Sequence, residues 1–403
     1  MNYRSLLYSL PILALSCSTA SEVQPLAGTS EDPITRARVE GFVFQPERID
    51  ATDQRVAELS VPDGFSIAKF AENMGQPRMV VVRDNGTVYV TRREGDIYML
   101  RDTDNDGKAD SQERIFEMKN IHGMALRGDE LYMVAVNDVL RTRLKEDGTF
   151  GEVDTIATGF PEGGQHNNRT IEFGPNGKLY LSVGSTCNAC KETNDENATI
   201  VEMNADGTGR RIFAKGLRNT IGFDWHPETN AFYGLDHGID WLGDDAQLEE
   251  LNLLEDGKHY GWPYIYEDGK YNPADEPDEG FAAFEKKVTS PVLTYTAHSA
   301  PLDMLFYRGS QFPADYRNDA IVTLRGSWNR SEPSGYKIVR IEFDEAGKPV
   351  GFQDFVTGWL RDKDRQQMGR LVGLAEMPDG SLLATDDENG VIYRIAYGSG
   401  TSR

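Results

Sequence analysis

Six stretches of this chain repeat one short pattern, each opening at the same phase. They begin at Pro77-Arg78-Met79-Val80, His122-Gly123-Met124-Ala125, His166-Asn167-Asn168-Arg169, Arg218-Asn219-Thr220-Ile221, Pro301-Leu302-Asp303-Met304 and Arg370-Leu371-Val372-Gly373. Most run on through a short apolar stretch, a Gly/Asp/Asn turn and a second apolar stretch. Asn85-Gly86 leads into Val88-Tyr89-Val90, Gly128-Asp129 into Leu131-Tyr132-Met133, and Pro175-Asn176-Gly177 into Leu179-Tyr180-Leu181. Thr229-Asn230 leads into Phe232-Tyr233, and Asp379-Gly380 into Leu382-Leu383. The fifth copy is looser and reaches Ile321-Val322 only after the Gly309-to-Asn318 connection. Turn residues between aromatic and β-branched runs signal hairpins. A unit of ~40–50 residues with several strands has the period of a propeller blade. The pattern therefore predicts an all-β fold, a six-bladed β-propeller. The opening residues of the inner strands would then converge on one mouth of the central channel, where function is to be sought.

A single closed β fold can use most of 403 residues, and 39% hydrophobic content is enough to build its core. A net charge of −23 argues against nucleic-acid partners, which need a basic surface. Residues 1–17 read as a lipoprotein-type signal peptide: Arg4, an apolar run from Leu6 to Leu15, then Ser16 before Cys17, the expected lipidation site. Residues 18–50 read as a flexible tether, 51–397 as the propeller and 398–403 as a frayed tail. The chain is thus expected to be exported, periplasmic or cell-envelope, and lipid-anchored through Cys17. In that setting the remaining thiols, Cys187 and Cys190, form a disulfide. Val61 to Phe70 reads as a strand leading into the first blade, and Trp262 to His298 as a loop or extra hairpin over one face.

There is no dinucleotide fingerprint, P-loop, nucleophile elbow or zincin motif. Asp102, Asp104 and Asp106 with Gly107, Asp110 and Glu113 follow a calcium-loop spacing, a candidate structural calcium site without helical flanks. Of the six histidines, His226 and His259 fall at turns, and His237 lies beside Gly238 at the mouth. His122, His166 and His298 stand at or just before strand openings, where Arg218 and Arg370 also fall, so a cationic mouth is expected.

Gln165-His166, Gly216-Leu217-Arg218-Asn219, Leu235-Asp236-His237-Gly238 and Tyr260-Gly261-Trp262-Pro263 resemble the soluble PQQ-dependent sugar dehydrogenases. Gly326-Ser327-Trp328-Asn329-Arg330 and Gly369-Arg370-Leu371-Val372-Gly373 are similar to the sorbosone and pyranose branch of that family. The resemblance covers roughly residues 60 to 397. It implies pyrroloquinoline quinone (PQQ) and Ca2+ as cofactors, a sugar or sugar aldehyde oxidised at C1, and an external electron acceptor, a quinone or cytochrome. By the same resemblance His166 is the general base, and Arg218 stabilises charge at the quinone oxygen. Asn219 bonds the cofactor, and the backbone oxygens of Gly238 and Ile239 hold calcium. Arg370, with Arg325 or Arg330, pairs with the cofactor carboxylates, and His122 lies close by. Two other functions fit a propeller of this kind: a calcium-dependent lactonase or esterase, and a non-enzymatic binding module. The first would need Glu, Asn and Asp converging on a metal; the second would leave the mouth residues incidental.

Overall fold

The computed structural model describes residues 41–273 and 275–398. The signal segment with Cys17, the tether as far as residue 40 and the tail beyond Gly398 lie outside the described residues. Among the described residues the chain is all-β, with six four-stranded antiparallel sheets. Their first strands are Pro77–Val82, Met124–Arg127, Ile171–Phe173, Phe223–Trp225, Pro301–Phe306 and Leu371–Glu376. Each begins within five residues of a repeat opening, as the hairpin signals predict. The second strands Leu179–Val183, Phe232–Asp236, Ala320–Leu324 and Leu382–Asp386 are buried at every position, because a neighbouring sheet covers each face. The last strand of the first sheet, Ser111–Glu117, is mostly exposed and carries the polar composition that solvent requires.

Consecutive sheets are joined by apolar clusters. Tyr89 and Ile97 of the first sheet pack with Leu131 and Met133 of the second, and Val134 and Val139 of the second with Leu179 and Val201 of the third. Tyr180 joins Trp225 and Phe232, Leu235 joins Met304 and Val322, and Ile321 and Ile338 join Leu371 and Leu382. The series closes where Leu383 and Ile392 of the sixth sheet meet Val80 and Val90 of the first. Polar links repeat around the same series. Thr91 Oγ1 donates to the His122 carbonyl at 2.8 Å, Thr385 Oγ1 to the Arg78 carbonyl at 2.6 Å, and Thr323 Oγ1 to the Val372 carbonyl. In each case the second strand of one sheet reaches the repeat opening of the next. The inner strands approach closely enough that a Cβ on Gly373 would lie 2.4 Å from the Arg78 carbonyl oxygen.

Three expectations are corrected. The strand Phe65–Ala71 does not lead into the first sheet: it pairs antiparallel with Val391–Tyr397 and completes the sixth, so both ends of the domain share one sheet. Part of the stretch assigned to the tether is packed on the domain. Glu47–Arg48 runs parallel to Gln366–Gln367, and the Phe44 N–H donates to the Trp328 carbonyl at 3.0 Å. The stretch from Trp262 to His298 holds the hairpin Ile265–Tyr266/Lys270–Tyr271 and the short helix Phe281–Phe284, but its end is not an added loop, since Leu293–Tyr295 pairs with Glu249–Leu253 as the fourth strand of the fourth sheet.

Candidate active site

The repeat openings meet in a belt of contacts that passes through all six sheets. Beneath it Met79, Ile221, Leu302 and Val372, each within a repeat opening, pack against one another and plug the axis. The belt runs from His166 past Gly184 to Asn219, whose Nδ2 faces His237 Nδ1 at 3.5 Å, while His237 Nε2 donates to the Pro301 carbonyl at 2.5 Å. It continues through the Arg325 N–H, which donates to the Ala300 carbonyl, to the ion pair of Arg325 with Asp387 at 3.0 Å. Asp387 also pairs with Arg78 at 2.6 Å; Arg78 Nε faces His122 Nε2 at 3.4 Å, and His122 Nδ1 meets the Arg169 carbonyl at 2.8 Å. The predicted His166, Arg218, Asn219, Arg325, Arg370 and His122 are therefore brought to one end of the axis.

His166 is set up as a neutral base. Its Nδ1 lies 3.0 Å from the Ser185 carbonyl and 2.8 Å from the Ser185 hydroxyl, and that hydroxyl donates onward to the Cys187 carbonyl at 2.8 Å. Both Ser185 oxygens must then accept, so Nδ1 carries the proton and Nε2 the lone pair. Burial, helped by the charge of Arg218, pushes the His166 pKa down to about 3, so the ring is uncharged at neutral pH. No side chain larger than glycine fits beneath it: a Cβ on Gly184 would lie 2.6 Å from His166 Cβ and 3.0 Å from Asn219 Oδ1.

Arg218 is buried and held on three sides. Its Nε donates to the Asn188 carbonyl at 2.9 Å and its Nη2 to Asn188 Oδ1 at 2.8 Å and Asp240 Oδ2 at 3.0 Å. The backbone N–H groups of Arg218 and Asn219 both donate to Asp236, whose carboxyl is pushed up to about 6 by burial against those bonds. Gly238 and Ile239 follow after His237; their N–H groups donate to Glu249 Oε2 and Gln247 Oε1, and their carbonyls have no partner among the described residues. Such carbonyls are the hard oxygen ligands that suit calcium.

The electrostatics of the belt favour an anion. Arg78 and Arg325 share the single carboxylate Asp387, which they hold ionised below its ordinary pKa although burial opposes it. The Arg370 guanidinium donates only to the carbonyls of Arg325 and Gly326 and has no carboxylate partner among the described residues, while the backbone N–H donates to Asp386 Oδ1 at 2.9 Å. Burial and the neighbouring Arg325 push its pKa down to about 10. A guanidinium buried without a counter-charge is costly unless a ligand supplies one, so the surplus cation fits a polyanion.

Several expectations change on this geometry. Both ring nitrogens of His122 are taken, and burial with the charge of Arg78 holds its pKa down at about 3, so it aims Arg78 rather than facing a ligand. Arg330 is engaged with the Asp244 carbonyl and with Asp245 at 3.1 Å, so of the two it is Arg325 that joins Arg78 in the belt. Asp102, Asp104 and Asp106 gather their carboxylates, but Asp110 instead accepts from the Thr103 N–H and hydroxyl at 2.6 Å, and Glu113 lies in the strand Ser111–Glu117 outside that group. Cys187 and Cys190 form the expected disulfide, with Cα atoms 6.2 Å apart. Sequence reasoning missed Arg78, Asp387, Asp240 and Asn188. Arg78 is the second residue of the first repeat opening and could have been found there; the others lie outside the openings.

Below the plug, the far end of the axis has the opposite character. A channel of about 440 Å³ is lined there by Glu172, Asp224, Asp303 and Glu376 with one cation, Arg308. Acids at that end would repel the anion that the belt is built to attract.

The sequence profile of the family described as TrAA12-like matches residues 59–398. A Borreliella burgdorferi protein described only as uncharacterized is 30% identical over 375 residues, covering 86% of this chain and 93% of its own length. The pyrroloquinoline quinone-dependent pyranose dehydrogenase of Coprinopsis cinerea is 23% identical over 416 residues, covering 85% of this chain and 55% of that enzyme. Among solved folds, the calcium structure of the Trichoderma reesei member of carbohydrate-active enzyme family AA12 superposes with a TM-score of 0.73 at 20% identity, covering 87% of this chain and 99% of that one.

Proposed function

The chain belongs to the TrAA12-like family, and on that footing we propose that it is a six-bladed propeller enzyme, a PQQ-dependent dehydrogenase that oxidises a sugar and passes the electrons to a separate acceptor. The observation that carries the reading is Arg370, buried beside Arg325 without a carboxylate of its own. PQQ bears three carboxylates, and Arg370, Arg325 and Arg78 offer three guanidinium groups against the one carboxylate of Asp387. The residues present therefore fit that group. A lactonase would need acids converging on a metal, whereas this mouth is cationic.

Bound PQQ supplies an electrophilic quinone carbon that accepts hydride, and Ca2+ a Lewis acid. The protein supplies the rest. His166 Nε2 takes the proton from the C1 hydroxyl of the sugar, a positioned base worth on the order of 10²–10⁴-fold. Arg218, fixed by Asn188 and Asp240, presents positive charge where negative charge grows, without reorganising in the transition state. Asn219 would bond the cofactor, with His237 holding its amide. The carbonyls of Gly238 and Ile239 would hold the calcium. Asp102, Asp104 and Asp106 are read as a separate, structural calcium site. The disulfide fits an oxidising compartment, in keeping with export to the periplasm or cell envelope and attachment through a lipidated Cys17.

The test is reconstitution. PQQ and calcium added to purified apoprotein should give dye reduction with an aldose panel. His166→Ala should abolish turnover while PQQ still binds. Failure of PQQ to bind the wild-type protein overturns the reading.

A further inference from the structure

We propose that the loop closed by the Cys187–Cys190 disulfide is a positioning element of this site, and that Asn188 within it aligns Arg218 and locks it to the Gly238–Asp240 segment. The proposal rests on the reading that Arg218 faces the cofactor.

Asn188 uses nearly all its polar groups on the two halves of the site. Its carbonyl accepts from Arg218 Nε at 2.9 Å, and its Oδ1 from Arg218 Nη2 at 2.8 Å. The same Oδ1 accepts from the Asp240 N–H at 2.8 Å, and its Nδ2 donates to the Asp240 carbonyl at 3.1 Å. The side-chain amide thus pairs with the Asp240 peptide groups much as a neighbouring strand would. Arg218 is gripped at Nε and Nη2, which leaves Nη1 as the nitrogen with no protein partner among the described residues. The grip sets the plane of the guanidinium and points the free nitrogen away from Asn188.

Nothing in the local chain would hold Asn188 in place unaided. Residues 187–190 belong to no strand or helix and are only partly buried. Three features pin them: the disulfide, the Ser185 hydroxyl on the Cys187 carbonyl, and the packing of Cys187 and Ala189 against Ile239 and Trp262. The disulfide removes freedom that a four-residue loop would otherwise retain, and rigid support for a charged group is what a preorganised site needs. Ser185 is common to both arms: its oxygens take His166 Nδ1, and its hydroxyl holds Cys187. The covalently closed loop therefore holds the cation directly and is tied to the base through Ser185.

The experiment compares Asn188→Ala, the double variant Cys187→Ser/Cys190→Ser, Arg218→Ala and Asn188→Ala/Arg218→Ala in the full chain. The measurements are PQQ affinity by tryptophan fluorescence, the absorption spectrum of the bound quinone, kcat, KM and apoprotein melting. Asn188→Ala should lower kcat about tenfold to a hundredfold, the effect of losing a charge-assisted hydrogen bond in the transition state. The sugar KM should stay within about threefold, and the quinone spectrum should shift toward that of Arg218→Ala. It should add nothing in the Arg218→Ala background, and the cysteine pair should reproduce it in direction. Asn188→Ser replaces the alanine variant if that does not fold, with the same outcomes. Arg218→Ala slow beside Asn188→Ala or the cysteine variant at wild-type kcat, or full additivity of the two single effects, overturns the proposal alone. Arg218→Ala at wild-type kcat overturns the reading of Arg218 and the proposal with it.

Discussion

His166 and Ser185 form one unit: the serine hydroxyl oxygen, 2.8 Å from His166 Nδ1, can only accept there because its proton goes to the Cys187 carbonyl. Ser185→Ala leaves the carbonyl at 3.0 Å to keep the tautomer but removes the second acceptor that fixes the ring plane. We expect kcat about three- to tenfold lower, the value of one net hydrogen bond, with PQQ affinity unchanged. Steady-state kinetics at saturating PQQ and calcium check it.

The pH dependence follows from the same ring. Burial is the first cause and Arg218 the second of its depressed pKa, near 3. Because His166 must be neutral to act, activity is lost as pH falls through its pKa. Removing a positive neighbour makes protonation easier, so Arg218→Ala should move the acid limb of kcat/KM to higher pH, while Arg218→Lys keeps the charge and the limb. The activity of wild type and both variants, followed from about pH 2.5 to 8, decides it. A limb that stays in place in the alanine variant shows that some other group titrates.

Arg370 and Asp387 should respond in opposite ways. Arg370→Met removes a buried cation with no carboxylate, so the apoprotein should melt no lower than wild type, while PQQ affinity falls about a hundredfold or more. Asp387→Asn strips the shared counter-charge from Arg78 and Arg325 and should destabilise the apoprotein by on the order of 3 kcal/mol. Calorimetry with and without PQQ separates the two.

The fold was legible because each repeat carries its turn residues and apolar runs within a few positions, where local chemistry governs. The partner of the strand Phe65–Ala71 was not: its alternation announces a strand, but its pairing with Val391–Tyr397 is set by closure of the whole ring. His166 and Arg218 could be found from phase and resemblance. Asp387 could not, since it meets Arg78 across 309 residues and looks like one more acid in an acidic chain. The choice between Arg325 and Arg330 stayed open for the complementary reason, that the capture of Arg330 by Asp244 and Asp245 leaves no mark in the sequence. Asn188 sits in a loop whose only sequence signal was the pair of cysteines.

The acidic end of the channel yields a stability prediction. Burial pushes Glu172 up to about 7 and Asp303 to about 8, Glu172 adding to the effect on Asp303. A carboxyl whose folded pKa is raised binds its proton more tightly when folded, so stability is full below the unfolded value near 4.5 and falls as pH rises toward 7. Glu172→Gln keeps an oxygen for the Phe173 N–H and cannot ionise. The variant should therefore match wild type near pH 4.5 and become progressively the more stable up to pH 7, by on the order of 1 kcal/mol once water in the channel is allowed for. Above pH 7 the gap should level off for Glu172, while the relief of Asp303 continues toward pH 8. Denaturant melts at pH 4.5, 6, 7 and 8 measure it. A difference independent of pH would mean that Glu172 is already charged in the folded protein and that the channel is more polar than its lining implies.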